Sequence, residues 1–169
     1  GLVVGAYLGS KAGGMIDKYL GNGLLALFGL LQELPDPVRR ALEAAQEMLL
    51  EVAVLNRELE AEGLTPLQVG IGVHYGDVVV GLLGTPERHE YTAVGATVNT
   101  AARIEALGRP FPYPVIVSEA VAAAMAGRAG FAELGSHEVR GSGPMRLFGW
   151  NPAALELQAA AAPAPGTAG

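Results

Sequence analysis

Asp17-Lys18-Tyr19-Leu20-Gly21-Asn22-Gly23-Leu24-Leu25-Ala26-Leu27-Phe28-Gly29 places two short apolar runs on either side of a Gly-Asn-Gly turn. Met15–Leu20 and Leu24–Leu30 are each strand-sized. Asn-Gly is the favoured two-residue connection between antiparallel strands, because both central residues of a type I′ turn need φ > 0. The stretch therefore predicts a β-hairpin. Read locally, Lys18 is a solvated lysine and Asn22-Gly23 is a well-made turn.

Outward from the hairpin, residues 1–12 (GLVVGAYLGSKA) read as the end of a helix of small residues. Pro35-Asp36-Pro37 opens the clearest helix, with Asp36 as a capping side chain and Pro37 in the first turn. Val38, Ala41, Leu42, Ala45, Met48, Val52, Leu55 and Leu59 recur at three- and four-residue steps, one apolar stripe expected to face the core, and Gly63 supplies the stop. Leu67–His74 alternates as a half-buried strand does, Gly76-Asp77 reads as a turn, and Val78–Leu83 as a further strand. Thr97–Leu107 predicts a helix, Pro114–Val117 a strand and Glu119–Ala126 a short helix. Phe131–Trp150 predicts a closing hairpin turned at Gly141-Ser142-Gly143-Pro144. After residue 14 the order is β-β-α-β-β-α-β-α-β-β, an α+β sandwich with helices on one face of a sheet.

The bulk numbers exclude several classes. A chain of 169 residues fits one domain with a real core. Half of it is hydrophobic and 17% is charged, which is not the composition of a disordered chain. A net charge of -6 argues against a nucleic-acid partner, which requires clustered Lys and Arg. Zero cysteines exclude disulfides, thiol catalysis and Cys-based zinc sites, and are compatible with a cytoplasmic location. No apolar run has the length of a membrane helix. The domain is expected over residues 1–152, followed by an Ala/Pro-rich tail or linker at 153–169.

A second stretch gives the chemistry. Tyr91-Thr92-Ala93-Val94-Gly95-Ala96-Thr97-Val98-Asn99-Thr100-Ala101-Ala102-Arg103, taken with the Lys18 hairpin, resembles the catalytic domain of class III nucleotidyl cyclases. Gly70-Ile71-Gly72-Val73-His74, Gly76–Gly81 and Glu105 add to the resemblance, which runs from about Gly14 to Trp150. It implies a ferredoxin-like α/β sandwich and conversion of ATP to cyclic AMP and pyrophosphate for intracellular signalling. It also implies a head-to-tail homodimer, or a heterodimer with another cyclase domain, that shares each active site. Carried over by position, Lys18 and Thr92 would read the adenine base: an ammonium donates to N1, and a hydroxyl accepts from the amino group. Asn99 and Arg103, four residues apart on one helix face, would serve the ribose and the α-phosphate.

Two departures bear on activity. The family's first metal aspartate lies on a strand upstream of the hairpin; that strand is expected to be missing here, which would leave unpaired edges in the sheet and suggests a truncated piece of a longer protein. At the second metal position stands Asn22, one neutral oxygen where a carboxylate is expected, so Mg²⁺ or Mn²⁺ should bind weakly or not at all. Ala96 replaces an acidic or amide residue common in the family. The expectation is an adenylyl cyclase domain impaired at its metal site. The alternative is a pseudo-cyclase, a non-catalytic dimerisation or nucleotide-sensing module. His74, His89 and His137 are too scattered for a metal site, Asp77 reads as a turn residue, and no GxxxxGK loop or Ser-His-Asp arrangement is present.

Overall fold

The pleat of a strand sends successive side chains to opposite faces, and that alternation decides which residues meet which helix. The computed structural model describes residues 2–10, 24–28, 36–77, 99–125 and 130–152. Within them, β1 (Leu2–Ser10), β2 (Leu24–Phe28), β3 (Val69–Asp77), β4 (Val115–Ser118), β5 (Ala132–Val139) and β6 (Gly143–Trp150) form one sheet in the order β2-β1-β3-β4-β6-β5. Neighbours are antiparallel except β3 and β4, which run parallel. The helices are α1 (Pro37–Ala61), α2 (helical over residues 99–108) and α3 (Glu119–Ala124). The α+β class matches the prediction; the placement of the helices does not.

Three local expectations are corrected. Residues 2–10 form a strand and not a helix end, so the sheet does not lack a strand between β2 and β3 as expected, and those edges are paired. They pair with β2 from Val4↔Phe28 to Leu8↔Leu24 and with β3 from Leu2↔Asp77 to Ser10↔Val69. The edges of β2 and β3 are rows of donors and acceptors that need partners, and this demand outweighs the weak local preference of a Gly- and Ala-containing segment. The same pairing draws Gly76 and Asp77, expected in a turn, into the end of β3. Asp36 does not cap α1 with its side chain: it sits at φ 52 and its carboxylate instead meets Arg39 Nε at 3.2 Å. The Lys18 arm of the predicted hairpin, and Val78–Leu83, lie outside the described residues.

α1 lies against one face of the sheet. Val38, Ala41, Leu42 and Ala45 pack on Ile71 and Val73 of β3, Val115 and Val117 of β4, Val121 of α3 and Trp150 of β6. Each large aliphatic side chain so buried contributes about 1.5–3 kcal/mol. The expected stripe is buried over its first two turns and only partly covered beyond them: Met48, Val52 and Leu59 are half-buried and Leu55 is 41% exposed, while Leu50 and Val54, which lie off the stripe, are exposed. Twenty-five helical residues span about 37 Å at 1.5 Å each, more than the sheet beneath them needs. The free end stops as predicted at Gly63, φ 75, where Leu64 N–H returns to the Leu59 carbonyl at 2.8 Å. Asn56 then holds the return loop, its side chain exchanging two hydrogen bonds with the backbone of Leu67 at 2.7 and 2.9 Å.

The helices are not all on one face, as the element order had suggested. Ile71 and Val73 point to α1, so Gly72 between them points the other way, and it is there that α2 packs. Ile104 of α2 meets Ile116 of β4 and Leu147 of β6 in a second, smaller core.

Candidate functional site

The height of α2 above the sheet is set by Gly72. A Cβ at that position would fall 2.7 Å from the backbone nitrogen of Glu105 and 2.9 Å from its Cβ, and would also strike the Ala101 carbonyl. The helix therefore rests backbone-on-backbone against β3, closer than any side chain allows. Ala101, Ile104 and Glu105 are fully buried by this contact. A run of small residues, Thr100-Ala101-Ala102, lets the helix settle into that slot.

Asn99 and Arg103 ride on this fixed helix, one turn apart. Asn99 is exposed at the first described helical residue and Arg103 is half-buried. Nη1 of Arg103 donates to the carbonyl oxygen of Arg140, in the turn joining β5 to β6. Thr100, 4% exposed, meets Ser142 of the same turn, hydroxyl to hydroxyl at 3.2 Å. The structure thus brings one of the predicted site residues, Arg103, together with a turn that sequence reading treated only as a hairpin connection. The signal that could have found it is the run Arg140-Gly141-Ser142-Gly143, with more glycine than a plain hairpin needs. Lys18, Asn22 and Thr92 lie outside the described residues.

The same face carries further polar pairs. Glu105, 1% exposed, takes two contacts from Arg109 one turn on, Nε at 3.4 Å and Nη2 at 3.2 Å. A buried carboxylate requires such a partner. His74 of β3 meets the buried hydroxyl of Ser118 through Nδ1 at 3.0 Å, and burial lowers its pKa below the usual histidine value. His137 Nε2 lies 2.7 Å from the Leu134 carbonyl, with its ring edge-on to Phe111. His74 and His137 therefore have structural partners; His89 lies outside the described residues. An open cleft of about 320 Å³ lined by Glu119, Ala122, Phe131 and Phe148 lies on the α1 and α3 side of the sheet, away from Arg103.

The divalent metal that the resemblance implies would need carboxylate donors. β1, central in the sheet, contains no Asp or Glu, and position 22 offers a neutral amide. Among the described residues no group of three or more His, Cys, Asp or Glu is gathered as a metal would need. Hard cations such as Mg²⁺ take charged oxygens, so neither β1 nor position 22 supplies the ligand that the metal would need.

Fold and sequence together define the class. The family described as "Adenylate and Guanylate cyclase catalytic domain" matches residues 16–151, and this chain belongs to it. β1 lies before the matched span. An adenylate cyclase of Anabaena cylindrica is 36% identical over 115 residues, covering 66% of this chain and 22% of that protein. The guanylyl cyclase Cya2 superposes with a TM-score of 0.66 at 25% identity, over 88% of this chain and 91% of that one. The adenylyl cyclase CyaB from P. aeruginosa gives a TM-score of 0.67 at 20% identity, over 88% and 92%. The chain spans about a quarter or less of the length of the curated relatives it matches. Among the described residues no helix is long and apolar enough to cross a membrane.

Proposed function

We propose that the chain is an adenylyl cyclase domain contributing the base- and phosphate-reading part of an active site shared across a head-to-tail dimer. The observation that carries this reading is the pair Asn99 and Arg103 on one face of α2, a helix whose height Gly72 fixes. Cyclisation of ATP needs the ribose 3′-oxygen aligned with the α-phosphorus. The hydroxyl loses its proton as the new P–O bond forms, and the bond to the leaving pyrophosphate breaks. Positioning and electrostatic stabilisation supply most of the catalysis in such transfers. Asn99 would hold the ribose. Arg103 would present its planar fork to the α-phosphate oxygens where charge accumulates. Lys18 and Thr92 support adenine over guanine, since Lys18 donates to N1, and in guanine that position is itself a donor.

The carboxylates of the reaction have to come from elsewhere. In the shared arrangement one protomer supplies the metal aspartates and the other the Asn and Arg, so this chain complements a cyclase domain that has those aspartates. Alone, it should form cyclic AMP from ATP barely above background with Mg²⁺ or Mn²⁺. Mixed with an active class III domain stripped of its own Asn and Arg, it should restore turnover. Robust activity of the chain alone would refute the impairment, and no recovery in the mixture would refute complementation. Asn22 favours the second reading, a pseudo-cyclase that binds nucleotide without turning it over. Metal-independent ATP binding with no activity in any mixture would establish that one instead.

A further inference from the structure

We propose that the turn Arg140-Gly141-Ser142 is the positioning device for Arg103: its central carbonyl aims the guanidinium, and a hydroxyl pair locks the turn to α2. This rests on the nucleotide role of Arg103 given above and adds the residues that set its orientation.

The geometry begins in the turn. Ser142 N–H returns to the Val139 carbonyl at 2.9 Å, which makes Val139-Arg140-Gly141-Ser142 a four-residue turn. Gly141, third in it, has φ 85. A positive φ at the third position is the mark of a type II turn, whose central peptide is reversed relative to type I. The carbonyl of that central peptide belongs to Arg140, and it is the oxygen that receives Nη1 of Arg103. Gly141 serves twice: it tolerates the left-handed backbone, and it leaves room for the guanidinium, since a Cβ there would sit 3.0 Å from Nη1.

The lock is the Thr100–Ser142 contact at 3.2 Å. Thr100 is next to Asn99 on α2 and 4% exposed, so its hydroxyl is directed inward to the turn while Asn99 is exposed. An arginine carries several rotatable bonds and loses rotamer freedom when it is fixed. Fixing it before substrate arrives lowers that cost at binding. One Nη1 hydrogen bond leaves the other edge of the five-donor fork for a phosphate.

The experiment is a double-mutant cycle on the full chain, read as the dissociation constant of a non-cyclisable ATP analogue. Arg103→Ala, Gly141→Ala, Thr100→Val and Ser142→Ala are each made in the wild type, and the turn variants are repeated in the Arg103→Ala background. Gly141→Ala should weaken binding about fivefold and Thr100→Val or Ser142→Ala about twofold, with no further loss once Arg103 is gone. Thr100→Ser keeps the hydroxyl and should restore wild-type binding. Guanidinium ¹⁵N NMR gives a readout that does not depend on nucleotide: the Arg103 signal should be exchange-limited in the wild type and averaged in Gly141→Ala. Equal losses in both backgrounds, or an unchanged Arg103 signal in Gly141→Ala, overturn the positioning role. If Arg103→Ala leaves nucleotide affinity intact while the NMR signal responds to the turn, the nucleotide reading of Arg103 fails and the mechanical coupling stands.

Discussion

The two faces of the sheet hold their helices by different means. On one face α1 and α3 rest on Ile71, Val73, Val115 and Val117, aliphatic against aliphatic. On the other, α2 sits in the slot at Gly72 with only Ile104 set against Ile116 and Leu147, and polar groups tie it to the β5–β6 turn: Thr100 to Ser142 and Arg103 to Arg140. Side-chain packing can repack when it is disturbed, since cores accept changes of similar volume at modest cost. A backbone contact at van der Waals distance has nothing to rearrange. The face that carries the proposed chemistry is the one with the least freedom to adjust.

Adjacent residues on β3 test that contrast most severely. Gly72→Val should cost more than about 3 kcal/mol or prevent folding, because its side chain meets the backbone of α2. Denaturant unfolding measures it, and a loss below 1 kcal/mol would show that α2 can lift off. Ile71→Val, on the aliphatic face, should cost about 1 kcal/mol in the same assay and leave nucleotide affinity unchanged.

Acid is a gentler probe of the polar face. The pKa of His74 is lowered by burial in the folded state. Above the unfolded value of about 6.5 both states are neutral and the contribution to stability is complete. As pH falls below that value the unfolded chain takes up a proton first, so stability declines toward the folded pKa. Urea midpoints at successive pH values should show this slope, and His74→Gln should flatten it. An unchanged slope in the variant would assign the effect elsewhere. The smallest effect belongs to the overhanging half of α1: Leu55→Glu should change stability by no more than about 0.5 kcal/mol, since that side chain is 41% exposed. A larger loss would mean that this stretch is covered in solution.

Much of this was legible in the residues. The period of Val38, Ala41, Leu42 and Ala45 gave α1, Gly63 its end, and the Phe131–Trp150 pattern the final hairpin. Three features were not legible, each because it depends on partners distant in the chain. Residues 2–10 become a strand through the open edges of β2 and β3, which no local pattern reveals. Gly72 fits a strand alternation as a small residue, and only the arrival of Ala101 and Glu105 above it shows that its lack of a side chain matters. The Arg140-Gly141-Ser142 turn reads as a connection because its contact is through a backbone carbonyl, and every residue has one of those. The spacing of Asn99 and Arg103 put them on one helical face in advance, and the structure places them there.

The contact at Gly72 also limits how this site can vary. With α2 seated on the sheet by its own backbone, the distance from helix to strand cannot be tuned by small substitutions beneath it. On this helix, changes in what the site accepts must come through the identity of the side chains along its exposed edge and in the facing turn, and not through its height. The scaffold acts as a fixed jig, and specificity is altered by exchanging the tools mounted on it.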